Sequence, residues 1–268
     1  MSSEVRLVHG RRERRSDEPL HRGVYLLPNL ITTCGLFSGF YAIIATIDGA
    51  YQVAAVCILI AHVFDGLDGR IARLTKSTSR FGIEYDSLSD LVAFGVAPGV
   101  LAYKWALEPW GNWGWLAASL YVACGALRLA RFNVQADLGA KHHFTGLPIP
   151  AAADTVASTV LLYYFFGGEG ATHKHVILLV VIYGLAALMV SNVSYQSFKS
   201  FRFHPRQPLW ILVALIVGLK FVIAEPQIFL FTAFMLYALS GPATWVLGRS
   251  RARRRAAEEP VAKVRNLR

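Results

Sequence analysis

Four aspartates stand between residues 65 and 90: Asp65, Asp68, Asp86 and Asp90. Gly66, Gly69 and Gly82 interleave them, and Arg73 follows the first pair. Carboxylate oxygens are the hard donors that magnesium and manganese take. A divalent cation beside phosphate oxygens serves phosphate chemistry. Glycine lets a bulky ligand approach the backbone, and an arginine fork matches a phosphate. The bland alternative is a structural charge network, in which the acids pair with Arg70, Arg73, Lys76 and Arg80. A calcium-binding EF-hand is excluded, because no twelve-residue ligand loop ending in glutamate follows Asp65.

Helical periodicity dictates how these acids meet. At about 100° per residue, positions 65, 68, 69 and 72 share one face. Gly82, Asp86 and Asp90 are spaced by four and share another. The short connection makes the two helices antiparallel neighbours, so the four carboxylates converge. They do so near the end of one apolar span and the start of the next, where charge is costly and marks function.

The chain has 268 residues, 54% of them hydrophobic and only 16% charged. Apolar runs of membrane-spanning length recur. They predict an all-α polytopic membrane protein of about eight spans: 24–47, 51–74, 85–107, 113–134, 147–167, 175–195, 208–225 and 227–248. The flanks, 1–23 and 249–268, read as a basic arm and a basic, mobile tail. Arg11, Arg12, Arg14 and Arg15 occur without an apolar core, so the first span is expected to act as its own signal. No internal repeat is visible, which weakens an inverted-repeat transporter reading.

The formal charge of +10 could suggest nucleic acid, but the distribution of the cations argues otherwise. Basic residues crowd the N-terminal arm, the C-terminal tail and the loops holding Lys76, Arg80, Lys141, Lys199, Arg202 and Arg206. Lys174 is alone in the loops of the opposite side, while Lys104 and Lys220 fall near the outer ends of spans and can snorkel. The positive-inside rule then places both termini, and the acidic cluster, on the cytoplasmic side of the cell membrane. The basic ends also suit anionic membrane lipids.

The pattern Asp65, Gly66, Asp68, Gly69, Ala72, Arg73, Gly82, Asp86 and Asp90 resembles the signature of the CDP-alcohol phosphatidyltransferase family, with no departure in spacing. Leu27-Pro28-Asn29-Leu30 opens the first span as in that family. Segments 85–98, 128–133 and 146–153 resemble its bacterial phosphatidylserine synthase branch. The resemblance covers about residues 24–200, read as the catalytic membrane domain, with 201–248 as additional spans. It implies transfer of a phosphatidyl group from CDP-diacylglycerol to an alcohol, L-serine by the branch segments, with release of CMP. It implies that Asp65, Asp68 and Asp86 bind metal, Mg2+ or Mn2+ and two ions, with Asp90 bridging and serving as base. It implies CDP-diacylglycerol contacts at Asn29, Thr32, Gly66, Gly69, Arg73 and Ser79, and a homodimer. Other acceptors, such as glycerol-phosphate, an inositol compound or choline, stay open. Outside the enzyme class, so does a divalent-cation transporter, although Arg73 beside the acids would repel permeating cations.

Several residues carry weaker signals. Arg128, Arg131 and Asn133 end the fourth span and are candidates for the acceptor or a lipid phosphate, or for topological anchoring. Asn29 could equally cap the first helix. Asp154 lies inside the fifth span without a sequence partner, which leaves substrate-amine binding and an internal ion pair level. His142 and His143 read as a solvated pair, because no third ligand has suitable spacing. Cys34, Cys57 and Cys124 read as reduced packing residues. The glycines of 35–39 and 95–99 permit close helix contact. Trp110, Trp113 and Trp115 read as an interfacial belt. No serine, histidine or cysteine is poised as a nucleophile, which predicts direct transfer.

Overall fold

A computed structural model describes residues 26–75, 77, 79–137, 146–193, 195, 220 and 224–265, with side chains as far as 135 and 245 in the two helices that end there. Every regular element among them is helical. In chain order these are α1 (Leu26–Ile47), α2 (Tyr51–Leu74), α3 (Arg80–Asp90), α4 (Ala97–Ala102), α5 (Asn112–Asp137), α6 (Ile149–Phe165), α7 (Val176–Val190) and α8 (Pro226–Arg265). Five stretches among the described residues are long and apolar enough to cross a membrane: α1, α2, Arg80–Trp110, Asn112–Gln135 and Pro226–Trp245. The apolar helices α6 and α7 are shorter, at 17 and 15 residues.

Seven of the eight expected spans have a helix in their place with shifted ends, five of them long enough to cross a membrane, and 208–225 lies almost wholly outside the described residues. The third begins at Arg80 rather than 85, because Ser79 caps it: the Gly82 amide donates to Ser79 Oγ at 3.0 Å. The sixth stops at Val190, five residues short, because Ser191 turns extended. The tail read as a mobile extension continues α8 as helix to Arg265. The arm 1–23, the basic residues Lys76, Lys141, Lys199, Arg202 and Arg206, and the pair His142–His143 lie outside the described residues.

Side-chain size is sorted as a bilayer sorts it. The interior is rich in alanine, with Ala42, Ala54, Ala55, Ala97, Ala152 and Ala153 fully buried, while Phe37, Phe40, Val63, Ile177 and Val180 face outward. Lipid is as apolar as leucine, so helices associate by close packing of small residues. Gly39 shows the need: a Cβ there would lie 2.6 Å from the Ala93 Cα. Gly35 meets Phe64 of α2, and Gly99 meets Val122 of α5. Both glycine spacings are therefore used inside one chain. The most enclosed helix is α6, buried at nearly every position from Ile149 to Leu161. It packs against α2 on one side and α8 on another, while α7 leans on α5.

Between α3 and α4 the helix widens into a π turn, Leu91–Val96, and a second π turn follows at Tyr103–Leu107. Pro98 has no amide to give the Phe94 carbonyl one turn before it. The buried Tyr121 hydroxyl donates to that oxygen at 3.2 Å instead. Widened turns of this kind gather at functional sites, and this one begins immediately after Asp90.

Candidate active site

The connection from α2 to α3 is only a few residues long and is braced from both sides. Thr75 Oγ1 donates to Ile71 O at 2.8 Å and lies 2.6 Å from Ser77 Oγ. With Ser79 capping α3, the two helices turn back on each other and α1 packs beside both. Asp65, Asp68 and Asp86 each bring a carboxylate oxygen within 4.8 Å of the others. Asp90, one turn further along α3, lines the same inner recess with Thr32, Gly35 and Phe94. It stands outside the group of three.

Among the described residues, no salt bridge neutralises this cluster. No described lysine or arginine forms an ion pair with any of the four acids, so Arg70, Arg73 and Arg80 do not build the charge network weighed above; its fourth member, Lys76, lies outside the described residues. Two like charges about 5 Å apart cost roughly 3 kcal/mol at an effective dielectric of about 20. Three hard oxygen donors so crowded, with no counter-cation paired to them among the described residues, fit magnesium or manganese.

Hydrogen bonds set the carboxylates. Thr32 Oγ1 donates to Asp68 Oδ2 at 2.7 Å, and Ser89 Oγ donates to the Thr32 carbonyl at 3.2 Å. Thr33 and Tyr85 pair at 2.9 Å, tying α1 to α3. Thr32 therefore orients a carboxylate, a task its place among the nucleotide contacts did not foresee.

A wider cavity of about 220 Å³ opens outward from the acids. Asn29, Thr32, Gly69, Arg73 and Ser79 line it, together with Asp68 and Asp86. Gly66 does not line it, and a Cβ at Gly66 or Gly69 would meet nothing within 4 Å. Gly82 does sit tightly, with Ser79 Oγ 3.2 Å and Asn29 Oδ1 3.3 Å from where its Cβ would be. Arg73, at this rim, is free of ion pairs among the described residues.

The three polar residues ending α5 separate. Arg128 has its Nε buried without a hydrogen-bond partner and lies within electrostatic reach of Asp90 and of Tyr237 on α8. Arg131 donates from an NH2 group to Asn192 Oδ1 at 2.8 Å. Asn133 Nδ2 donates to Ser87 Oγ at 3.0 Å, next to Asp86. Sequence reasoning missed His62, whose Nδ1 is bonded to Asp154 Oδ2. The signal available was its place one turn before Asp65.

The sequence profile described as CDP-alcohol phosphatidyltransferase matches residues 25–191. The CDP-diacylglycerol–serine O-phosphatidyltransferase of Helicobacter pylori (strain ATCC 700392 / 26695) is 40% identical over 226 residues, covering 83% of this chain and 92% of that protein. The protein of that name in Mycobacterium tuberculosis (strain ATCC 25618 / H37Rv) is 32% identical over 223 residues, covering 81% and 77%. The archaetidylserine synthase of Methanothermobacter thermautotrophicus is 39% identical over 171 residues, covering 63% and 69%.

Proposed function

We propose that this chain, which belongs to the CDP-alcohol phosphatidyltransferase family, moves the phosphatidyl group of CDP-diacylglycerol onto the hydroxyl of L-serine and releases CMP. The observation that carries this reading is the convergence of Asp65, Asp68 and Asp86, with no ion-paired lysine or arginine among the described residues, next to a cavity lined by Asp68, Asp86 and Arg73. Relatives of similar length bear the name of this serine transfer, and the archaeal relative bears serine in its name too. Those names support serine over glycerol-phosphate, an inositol compound or choline. Family membership leaves the cation-transport alternative without support.

Asp65, Asp68 and Asp86 would hold Mg2+ or Mn2+, two ions with Asp90 as a bridge. Held there, such ions would supply the charge that offsets the pyrophosphate and the departing CMP. Asn29, Gly69 and Ser79 shape the cavity for the nucleotide, with Gly66 behind them. Arg73 meets the phosphate oxygens with its donor fork. Asp90 takes the proton of the serine hydroxyl as its oxygen attacks phosphorus; the bond from phosphorus to the CMP oxygen breaks as the new one forms. The transfer is direct and inverts the configuration at phosphorus. Arg128 holds the serine carboxylate with its unpartnered Nε, while Arg131 and Asn133 brace the wall around it.

The basic ends set both termini and this site on the cytoplasmic face of the cell membrane. A homodimer would use a face other than the glycines at 35, 39 and 99, which already pack within the chain.

The test is CMP release from CDP-diacylglycerol by the purified protein with magnesium or manganese. Serine, glycerol-3-phosphate, inositol-1-phosphate, inositol and choline are offered one at a time. Release with serine alone is the expected result. Release with a different acceptor would keep the metal site and sink the serine assignment.

A further inference from the structure

Asp154 and His62 take no part in the reaction just described, yet they set a fully buried carboxylate against a partly exposed imidazole. Asp154 is fully buried on α6, with alanines at 151–153 before it. Its Oδ2 meets His62 Nδ1 across the α2–α6 contact, and its Oδ1 is buried with no hydrogen-bond partner. A carboxylate so placed is expensive among apolar helices.

The position of His62 points to its task. It precedes Asp65 by one turn of α2, about 60° around the helix. Asp65 lies within electrostatic reach of both His62 and Asp154. The imidazole stands edge-on to Phe94, with ring centroids 5.9 Å apart and planes at 73°. Phe94 itself lines the inner recess beside Asp65, Asp68, Asp86 and Asp90. A carboxylate on Nδ1 fixes the tautomer and the orientation of the ring. Among the described residues, the other ring nitrogen has no hydrogen-bond partner.

We propose that Asp154 and His62 are positioning residues for Asp65: the buried carboxylate locks the imidazole against Phe94, and the locked ring holds Asp65 in the orientation from which it joins Asp68 and Asp86. The proposal rests on the reading of those three acids as a cation site. Neither residue touches the reacting atoms.

The test is Mn2+ affinity of the detergent-solubilised full chain, followed by the loss of the free-ion EPR signal, with thermal unfolding recorded alongside. The variant H62F/D154L replaces the pair by apolar side chains of similar bulk, which often leaves stability equal or higher. The expected result is Mn2+ binding weakened about tenfold or more, as for loss of an outer partner of a metal ligand, with the unfolding temperature maintained and the serine KM unchanged. Unaltered Mn2+ affinity would overturn the proposal. Should that variant not fold, Asp154→Asn decides: it keeps the shape and an acceptor for Nδ1 but removes the charge. Weakened Mn2+ binding is expected, and unchanged binding overturns the proposal. Wild-type protein and Asp65→Asn serve as references. Absence of any wild-type Mn2+ binding that Asp65→Asn abolishes would sink the cation site itself. Normal wild-type binding with indifferent variants would sink only the positioning role.

Discussion

Near Trp110, Lys104 Nζ donates to both carboxylate oxygens of Glu108 at 3.1 Å, and Lys174 Nζ lies 4.4 Å over the Trp110 ring. At the other end of α2, Asp65, Asp68 and Asp86 crowd within 4.8 Å, with no lysine or arginine among the described residues ion-paired to them. The first region closes its electrostatics within itself and exposes Trp113 and Trp115 as an interfacial belt would. The second is left unbalanced, and the fold holds it so through Thr32, Ser79 and the short α2–α3 turn. Self-neutralised charge serves anchoring. Charge that the chain declines to neutralise is available to something that arrives.

The comparison breaks most sharply at Asp90. Replacing it with asparagine should lower kcat for CMP release by about 10²- to 10⁴-fold, the range of a lost general base. Mn2+ binding at the other three acids should persist. An active Asp90→Asn protein would remove the base and leave only a cation site.

Next comes the strain of the cluster. In EDTA, Asp86→Asn should unfold at a higher temperature than wild type, by roughly one like-charge pair, about 1–3 kcal/mol. Added Mn2+ should stabilise wild type by mass action and the variant much less. Thermal unfolding with and without the ion reads both. A destabilised Asp86→Asn protein in EDTA would mean that the acids are not in conflict.

Tyr121→Phe should cost about 0.5–1.5 kcal/mol, because it removes the buried hydroxyl's bond to the Phe94 carbonyl. Chemical denaturation in detergent reads it, and activity should fall only as folded protein is lost. The smallest effect belongs to the balanced end. Lys104→Gln should leave CMP release within about twofold of wild type, since exposed pairs contribute little.

The site was legible wherever its geometry is local. Asp65 and Asp68 lie within one turn, Asp86 and Asp90 within another, and helical period alone places each pair on a face. The glycines at 35, 39 and 99 read as packing because small residues at that interval have few other uses in lipid. What could not be read was set by contacts between distant segments. His62 and Asp154 are far apart in the chain, and neither carries a pattern that names the other. The π turn at Leu91–Val96 leaves no periodic trace, since its residues are as apolar as those of a regular turn. The separation of Asp90 from the other three acids is a matter of depth along α3, which spacing by four does not reveal.

Ile83 lines the wider cavity and is 55% exposed, and Leu26, Leu30, Leu74 and Phe81, also exposed, stand close in the chain to other lining residues. A ligand with acyl tails would approach that mouth through the plane of the bilayer rather than from solution. Its encounter rate then follows its mole fraction among neighbouring lipids, a surface density, and not its amount per volume. Inert lipid or detergent added at constant enzyme and substrate would slow turnover by surface dilution, while the water-soluble acceptor would keep its ordinary bulk dependence.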